Sequence, residues 1–309
     1  MILIVSCADK ASIKINKSVN DDSLNYRGPI IDMHVHAYNE VNPLFGRAME
    51  NPLTGKVYMG AKSVQIHQQE TLAKFKQHNI VKAMVSEYPE AWYQTSPSTV
   101  LIGKGQGFSI EHLRSLHQQG RLHVLGEIAP NYDGLMATDD SLTAYYDLAV
   151  ELDIPIGLHL FPGGPPGGAY FAYPKTRARL GKPLQLEEIL FARPDIKIYI
   201  MHAGWPFLDE MKALMYAHLQ VYVDIGAISW GLPRKEFYHF LQGLVDAGFG
   251  QRIMFGSDQM QWPTTISEAI EAVNSASFLT RQQKADIFYN NAARFLELPA
   301  DEINRHKKL

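Results

Sequence analysis

Short apolar runs alternate with amphipathic stretches along most of the chain after residue 28. Runs rich in β-branched residues favour strands, and apolar positions spaced by three and four residues favour helices. The pattern predicts eight strands, at residues 29–36, 80–87, 99–103, 121–129, 154–161, 196–204, 221–226 and 252–258. Helical patterns separate most of these strands, and strands that alternate with helices are typical of a parallel sheet.

The predicted fold class is α/β, a (β/α)8 TIM barrel that occupies residues 29–309 as a single domain. Eight strand–helix units and this length agree with such a barrel, which typically needs about 250 residues. Predicted helices include 63–79, 109–120 with Ser109 as its cap and Gly120 as its stop, 141–153, and a closing amphipathic helix at 281–298. A doubly wound open sheet is the alternative, but no glycine-rich phosphate-binding fingerprint follows the first strand.

Composition narrows the classes of function. Hydrophobic residues make up 46% of the chain and charged residues 20%, as in an ordinary globular protein. The net charge of −3 gives no basic surface, so nucleic acid is not an expected partner. No apolar run approaches the ~18 residues of a transmembrane segment. The single cysteine excludes an internal disulfide and a cysteine zinc site, so any metal must be held by His, Asp or Glu.

Residues 1–28 are interpreted as an N-terminal leader or tether. Ile4-Val5-Ser6-Cys7 resembles the lipobox of bacterial lipoproteins, which would make Cys7 a lipidation site and place the protein in the cell envelope or periplasm. The apolar run covers only residues 2–5, however, whereas a secretory segment usually has about 7–15 apolar residues. A disordered leader on a cytoplasmic protein is therefore the other interpretation.

Two histidines close the first predicted strand. His34 and His36 are separated by one residue, so in a strand they share a face with Asp32. Two imidazoles on one face can converge on a single metal ion. Asp32 would lie deeper in the barrel, where we expect it to form hydrogen bonds beneath the site.

Further candidate ligands stand at the ends of later strands. In a barrel, the active site lies at the carboxyl ends of the strands. Glu127, His159, His202 and Asp258 stand near the ends of the fourth, fifth, sixth and eighth predicted strands. His123 begins a strand, which is the wrong end for catalysis. The remaining histidines lie in helical or polar stretches and are interpreted as solvated or capping residues: His67, His78, His112, His117, His218, His239 and His306.

The stretches "DMHVH", "GLHL", "IMHAGW" and "FGSD" resemble the amidohydrolase superfamily, in particular its amidohydrolase-2 branch of metal-dependent TIM-barrel hydrolases and decarboxylases. The resemblance extends from about residue 30 to residue 298. It implies that His34, His36 and His159 bind a metal. It implies that Asp258 binds the metal and takes a proton from its water, while His202 assists the substrate or the water. Glu127 would either bridge two metals or contact the site from outside the ligand shell.

The expected cofactor is Zn²⁺, one ion or two, or another divalent transition metal. Three imidazoles and one carboxylate leave an open position, as a catalytic zinc site requires. The leading hypothesis is a hydrolase in which metal-activated water attacks an amide, lactone or ester carbonyl. The alternatives are a non-oxidative decarboxylase of an unsaturated or aromatic carboxylic acid, and a non-catalytic metal-stabilised envelope binding protein.

Contacts with a small-molecule substrate are predicted from position alone. Trp205 follows His202 and could form a wall of the pocket. Asp224 ends the seventh predicted strand, and Trp230 and Arg234 lie in the following loop, where an Arg could bind a carboxylate in a bidentate manner. The aromatic closing helix could support a homodimer.

Overall fold

A computed structural model describes residues 25–39 and 45–308. Its strands are β1 (Ile30–Ala37), β2 (Ala48–Glu50), β3 (Val57–Met59), β4 (Ile80–Glu87), β5 (Val100–Lys104), β6 (Val124–Ile128), β7 (Ile156–His159), β8 (Ile198–Met201), β9 (Val221–Asp224) and β10 (Ile253–Met254). Cys7 and most of the predicted leader lie outside the described residues.

Eight of these strands form a parallel barrel in the order β1-β4-β5-β6-β7-β8-β9-β10. The edge between its first and last strands is bridged by a hydrogen bond of 2.9 Å from Met33 N to Phe255 O. All eight residues of β1 are buried, as expected for a parallel sheet covered by helices. The prediction of a TIM barrel is confirmed.

Helices pack around this barrel. Their bounds are α1 (Val64–Gln77), α2 (Glu90–Thr95), α3 (Ile110–Gln118), α4 (Thr143–Leu152), α5 (Glu187–Ala192), α6 (Leu208–Ala217), α7 (Ile228–Gly231), α8 (Arg234–Leu244), α9 (Thr265–Asn274), α10 (Arg281–Ala285), α11 (Asn291–Phe295) and α12 (Ala300–His306). The predicted cap of α3 is present, because the Ser109 side chain accepts a hydrogen bond from His112 N. None of the helices in the described part of the chain is both long and apolar enough to cross a membrane.

The structure differs from the predicted elements in three places. Strands β2 and β3 form an antiparallel hairpin where no strand was predicted. A π-helical turn at Asp286–Asn290 interrupts the predicted closing helix and buries Phe288. Strand β10 ends at Met254, four residues before the predicted end, because the chain then turns into the barrel mouth with Asp258 at φ +49°.

Candidate metal centre

The side chains predicted to bind a metal or to act in catalysis lie together at the carboxyl end of the barrel. His34 and His36 project from β1, Glu127 from β6, and His159 is the last residue of β7. His202 directly follows β8 and adopts φ +60°, a left-handed conformation that is uncommon for a residue with a side chain.

His34, His36 and Asp258 bring three ligand atoms to within 4.8 Å of one another. Asp258 Oδ1 lies 3.0 Å from His36 Nε2 and 3.7 Å from His34 Nε2. His34 Nε2 is buried and has no hydrogen-bond partner among the described residues, although an unpaired buried nitrogen is costly. A divalent cation would give this nitrogen a partner, and two imidazoles with carboxylates suit zinc or manganese. The residues present therefore fit a metal.

Glu127 reaches two pairs of histidines. Its Oε2 lies 3.7 Å from His34 Nε2 and 3.5 Å from His36 Nε2. Its Oε1 contacts His159 Nδ1, which in turn lies 3.0 Å from His202 Nε2. Glu127 thus points into the barrel mouth, with one carboxylate oxygen toward His34 and His36 and the other toward His159. Whether it bridges stays a prediction.

His159 is linked to the cluster through Glu127 and His202. The groups whose ligand atoms lie closest combine His34 with His36 and Asp258, or His34 with Glu127 and His202. His159 Nε2 is buried without a hydrogen-bond partner among the described residues, so it also has an unused nitrogen. Its role as the third imidazole ligand stays a prediction.

Opposite charges stabilise each other in the centre. Burial alone would lower the pKa of His36, but Asp258 and Glu87 raise it to about 10. Burial would raise the pKa of Asp258, but His34 and His36 hold it well below its usual range. Glu127 is held ionised in the same way, chiefly by His159. The carboxylates therefore favour a cation at this position, and a bound metal would take the place of protons on the imidazoles.

The pKa of His202 is shifted in the opposite direction to that of His36. Burial lowers its pKa to about 4, and the neighbouring His159 and His34 contribute to the decrease. Its Nδ1 lies 2.9 Å from Gly226 O, a carbonyl that can only accept a hydrogen bond, so Nδ1 is the donor. Neutral His202 therefore presents the Nε2 lone pair to the site.

Two aspartates lie beneath His34. Asp32 Oδ1 accepts hydrogen bonds from His34 N at 3.1 Å and from Ser257 N at 2.8 Å, as expected for a residue deeper in the barrel. The prediction that Asp224 contacts substrate is wrong. Asp224 is fully buried, and its Oδ2 lies 3.2 Å from His34 Nδ1. Its carboxylate is occupied below the imidazole and does not face the mouth.

The other predicted substrate contacts have partners elsewhere. Trp230 is buried, packs against Tyr58, and donates from Nε1 to Ser257 O at 2.8 Å, which is a packing role and corrects the predicted contact. Arg234 Nη2 pairs with Glu271 Oε2 at 2.6 Å, an ion pair at the partly exposed surface. The structure thus gives Arg234 the ordinary partner of a surface arginine, and its contacts provide no support for a substrate clamp.

Phe161 lies between Trp205 and His202. Its ring centroid is 5.6 Å from that of Phe161, and the Phe161 centroid is 4.9 Å from that of His202. Trp205 Nε1 donates to Glu236 Oε1 at 3.1 Å. Phe161, and not Trp205, is therefore the aromatic residue next to His202.

Sequence reasoning missed two tyrosines beside the centre, Tyr38 and Tyr132. The Tyr132 ring lies 4.8 Å from that of His159 and stacks on Tyr173 at 4.1 Å, while Tyr38 stacks over His36 at 6.3 Å. Burial raises the pKa of Tyr38 and Tyr132 well above the usual value, and nearby carboxylates raise it further, so both hydroxyls remain donors. Tyr38 directly follows β1 and Tyr132 closely follows β6, so the strand-end rule, applied to tyrosine, would have found them.

His67 corrects the interpretation of the remaining histidines. It is fully buried, and its Nε2 donates to Met260 O at 2.6 Å. Its ring packs near Tyr38, Phe45 and Trp92. His306 is buried as well, with Nδ1 2.9 Å from the Tyr289 hydroxyl, so neither residue is solvated.

A family model described as amidohydrolase matches residues 31–298. The chain belongs to the amidohydrolase family. This is a family of metal-dependent enzymes, which agrees with the fit of the centre to a cation. Comparison with curated proteins finds no significant match to this amidohydrolase.

Solved structures share the fold at low sequence identity. A probable 2-pyrone-4,6-dicarboxylic acid hydrolase from Acinetobacter baumannii, with citric acid bound, has a TM-score of 0.59 and 14% identity, with 87% of this chain and 99% of that chain covered. A 2,6-dihydroxybenzoate decarboxylase from Rhizobium has a TM-score of 0.56 and 13% identity, with 88% and 99% covered. A manganese complex of 5-carboxyvanillate decarboxylase from Novosphingobium aromaticivorans has a TM-score of 0.52 and 14% identity, with 74% and 79% covered. These likenesses show the fold of this amidohydrolase and nothing beyond it.

Proposed function

We propose that this amidohydrolase is a metal-dependent hydrolase of a C–O or C–N acyl bond, in a lactone, ester or amide. The observation that carries the proposal is the position of Asp258. Its carboxylate, whose pKa His34 and His36 hold well below the usual range, lies 3.0 Å from His36 Nε2, beside the imidazoles that would hold a metal. A carboxylate held ionised beside a nucleophilic water is the general base that acyl hydrolysis needs.

Zinc or manganese held by His34, His36 and Asp258, with Glu127 in reach, would supply polarisation of the carbonyl and a lowered pKa of water when bound. The other roles belong to the protein. Asp258 accepts the proton of the attacking water. His202, which offers a lone pair at Nε2, accepts a second hydrogen bond from that water and orients it.

Hydrogen-bond donors toward the developing oxyanion come from the tyrosines. Tyr38 and Tyr132 keep their protons. The Tyr38 ring stacks on the His36 ring, and the Tyr132 ring contacts the His159 ring. His202 is a weaker candidate for this role, because its one N–H is directed at Gly226 O. Donors aimed at developing charge are usually the largest single contribution to such catalysis.

A non-oxidative decarboxylase is the second candidate. Tyr132 and Tyr173 are stacked with an interplanar angle of 25°, and Phe161 lies beside His202, so the mouth has flat aromatic walls suited to a planar ring acid. Structures of like fold include decarboxylases of dihydroxybenzoate and carboxyvanillate. Because the same metal ligands can serve both reactions, tests with substrates of each class must distinguish hydrolysis from decarboxylation.

One experiment separates the two candidates. The purified chain would be analysed for metal and then tested on panels of lactones, esters and amides and on aromatic and unsaturated acids, with acid formation and carbon dioxide release both recorded. We expect hydrolysis, and a decrease of about 100-fold or more in kcat for Asp258→Asn. Asp246→Asn makes the same chemical change at an exposed position outside the centre and should retain full activity. Carbon dioxide release without hydrolysis, or an Asp258→Asn variant as active as the unmodified chain, would overturn the proposal.

A further inference from the structure

Asp224 is a fully buried carboxylate with every contact directed at the centre. It is the last residue of β9. Its Oδ1 accepts hydrogen bonds from the backbone N–H of His202 at 3.1 Å and of Gly226 at 2.8 Å. Its Oδ2 lies 3.2 Å from His34 Nδ1. One side chain thus joins a candidate metal ligand to the backbone of His202.

These contacts determine which nitrogen of His34 carries the proton. An aspartate carboxylate only accepts hydrogen bonds, so His34 Nδ1 must be the donor. A neutral imidazole protonated at Nδ1 has its lone pair at Nε2, the nitrogen that faces Glu127 and Asp258. Metal-binding histidines commonly donate their other ring N–H to a carboxylate, which fixes both tautomer and ring orientation.

Two glycines allow the backbone to pack closely against His34 and Asp224. A Cβ built on Gly226 would lie 2.7 Å from His34 Nδ1 and 3.0 Å from Asp224 Oδ1. A Cβ built on Gly256 would lie 2.9 Å from His34 Cβ and 3.1 Å from Asp224 Cγ. Two glycines therefore leave room for the imidazole and the carboxylate in this arrangement, and for little else.

We propose that Asp224 is a positioning residue that fixes the tautomer and direction of the His34 imidazole for a divalent metal. Through Oδ1 it also holds the backbone of His202, which adopts φ +60°. The inference rests on a metal at the proposed centre but not on the reaction catalysed there. Its tests therefore measure metal binding and protonation directly, and they can fail or succeed independently of the hydrolase proposal.

Asp224→Asn tests the proposal because it changes the contact with His34 Nδ1 and keeps the two hydrogen bonds from the backbone N–H groups of His202 and Gly226. The two backbone N–H groups require an acceptor, so the Asn carbonyl must take the place of Oδ1 and its NH₂ must face His34 Nδ1. His34 would then have to accept at Nδ1 and carry its proton at Nε2, where it blocks the metal. We expect the affinity for Mn²⁺ and Zn²⁺, measured by calorimetric titration of the metal-free chain, to fall about 10- to 100-fold. Thermal unfolding of the metal-free variant checks that it folds.

Asp32→Asn is the matched control. It neutralises another fully buried carboxylate beneath His34, but the bonds that Asp32 Oδ1 accepts at 3.1 and 2.8 Å come from the backbone N–H groups of His34 and Ser257 and not from the His34 ring. We expect this variant to bind both ions as the unmodified chain does. An equal loss in both variants would mean that buried charge alone matters, and it would overturn the proposal.

Spectroscopy gives an independent readout. In the Zn²⁺-loaded unmodified chain, ¹⁵N-labelled histidine spectra should show a proton on His34 Nδ1, with the signal assigned by its loss in His34→Gln. An unprotonated Nδ1 would overturn the proposal. Undiminished Mn²⁺ affinity in Asp224→Asn, or no uptake of either ion by the unmodified chain, would do the same.

Discussion

Glu127 contacts three histidines of the centre, so its neutralisation should change how much metal the centre holds. Glu127→Gln leaves a neutral amide where an anion faces His34, His36 and His159. We expect the metal content per chain, measured by plasma mass spectrometry after gel filtration, to fall. A fall from two ions to one would identify Glu127 as a bridge.

Glu188→Gln is the matched control for this prediction. Glu188 gives the same change of charge at an exposed position of α5, outside the centre. We expect this variant to retain its metal. An unchanged metal content in Glu127→Gln would contradict a ligand role for that residue.

His67 should make the protein sensitive to mild acid. Burial lowers the pKa of His67 to about 4, against 6.5 for an unperturbed histidine. Between these values the unfolded chain binds the proton and the folded chain does not, so the free energy of unfolding falls as the pH falls from 6.5 toward 4. The decrease from this residue is at most about 3 kcal/mol.

His67→Gln removes this titration while keeping a side chain that can donate to Met260 O. Denaturant unfolding at several pH values should give a flatter pH dependence for the variant than for the unmodified chain. Parallel curves over this range would show that His67 titrates normally.

At the residue scale, the strand-end rule found His34, His36, Glu127, His159, His202 and Asp258 before any coordinates. It failed for Asp224, because a residue at the end of a strand can lie beneath a ligand as easily as above it. The interpretation of His67 as solvated was wrong for another reason, because its burial depends on which side of α1 packs on the mouth loops. Sequence shows which residues are near the ends of strands, but their depth depends on packing.

At the element scale, the ends of β9 and β10 depend on glycine to seat His34. Gly226→Ala would place a methyl group 2.7 Å from His34 Nδ1. We expect the substitution to destabilise the protein by about 1–3 kcal/mol, as overpacking commonly does, and to weaken metal binding by displacing the imidazole. Thermal unfolding and metal titration measure the two effects.

Gly231→Ala is the corresponding control. A Cβ at Gly231 meets no described atom within 4 Å. Gly231 lies at the end of α7, in the same loop region. Its substitution by Ala should leave the free energy of unfolding and the metal affinity unchanged. A Gly226→Ala variant that matches this control would mean that the loop relaxes away from His34.

The predicted elements themselves show what periodicity can and cannot supply. Strand β4 was predicted with its observed bounds, 80–87, because apolar and β-branched residues dominate it and only Lys82 interrupts them before Ser86. The β2–β3 hairpin was missed because both strands are three residues long and mostly exposed, so neither carries an alternating apolar face. The π-helical turn at Asp286–Asn290 cannot be seen in an otherwise continuous amphipathic pattern.

At the scale of the whole molecule, the centre joins distant parts of the barrel. Its side chains come from β1, β6, β7, and the segments after β8 and β10. A metal that binds the folded chain and not the unfolded one would stabilise it by about 2.7 kcal/mol at a free concentration 100 times Kd.

Removal of metal should therefore lower the melting temperature. With about 2–4 °C per kcal/mol for a domain of this size, chelation should lower Tm by roughly 5–10 °C. Scanning calorimetry with a chelator, and again after Zn²⁺ or Mn²⁺ is restored, measures the shift. An unchanged Tm in protein proven free of metal would mean that the apo centre is already as stable as the loaded one.

The path by which the chain enters the barrel has a practical consequence. Tyr26 stacks on Phe288 and its backbone N–H donates to Asn274, just before β1 begins at Ile30. The parallel strands all begin at this end and deliver His34, Glu127 and His159 to the other. A surface joined directly at residue 25 would therefore hold the described part of the molecule by the end of the barrel opposite the centre. Immobilised on a bead or a bilayer in this way, the protein would present its centre to the surrounding solution.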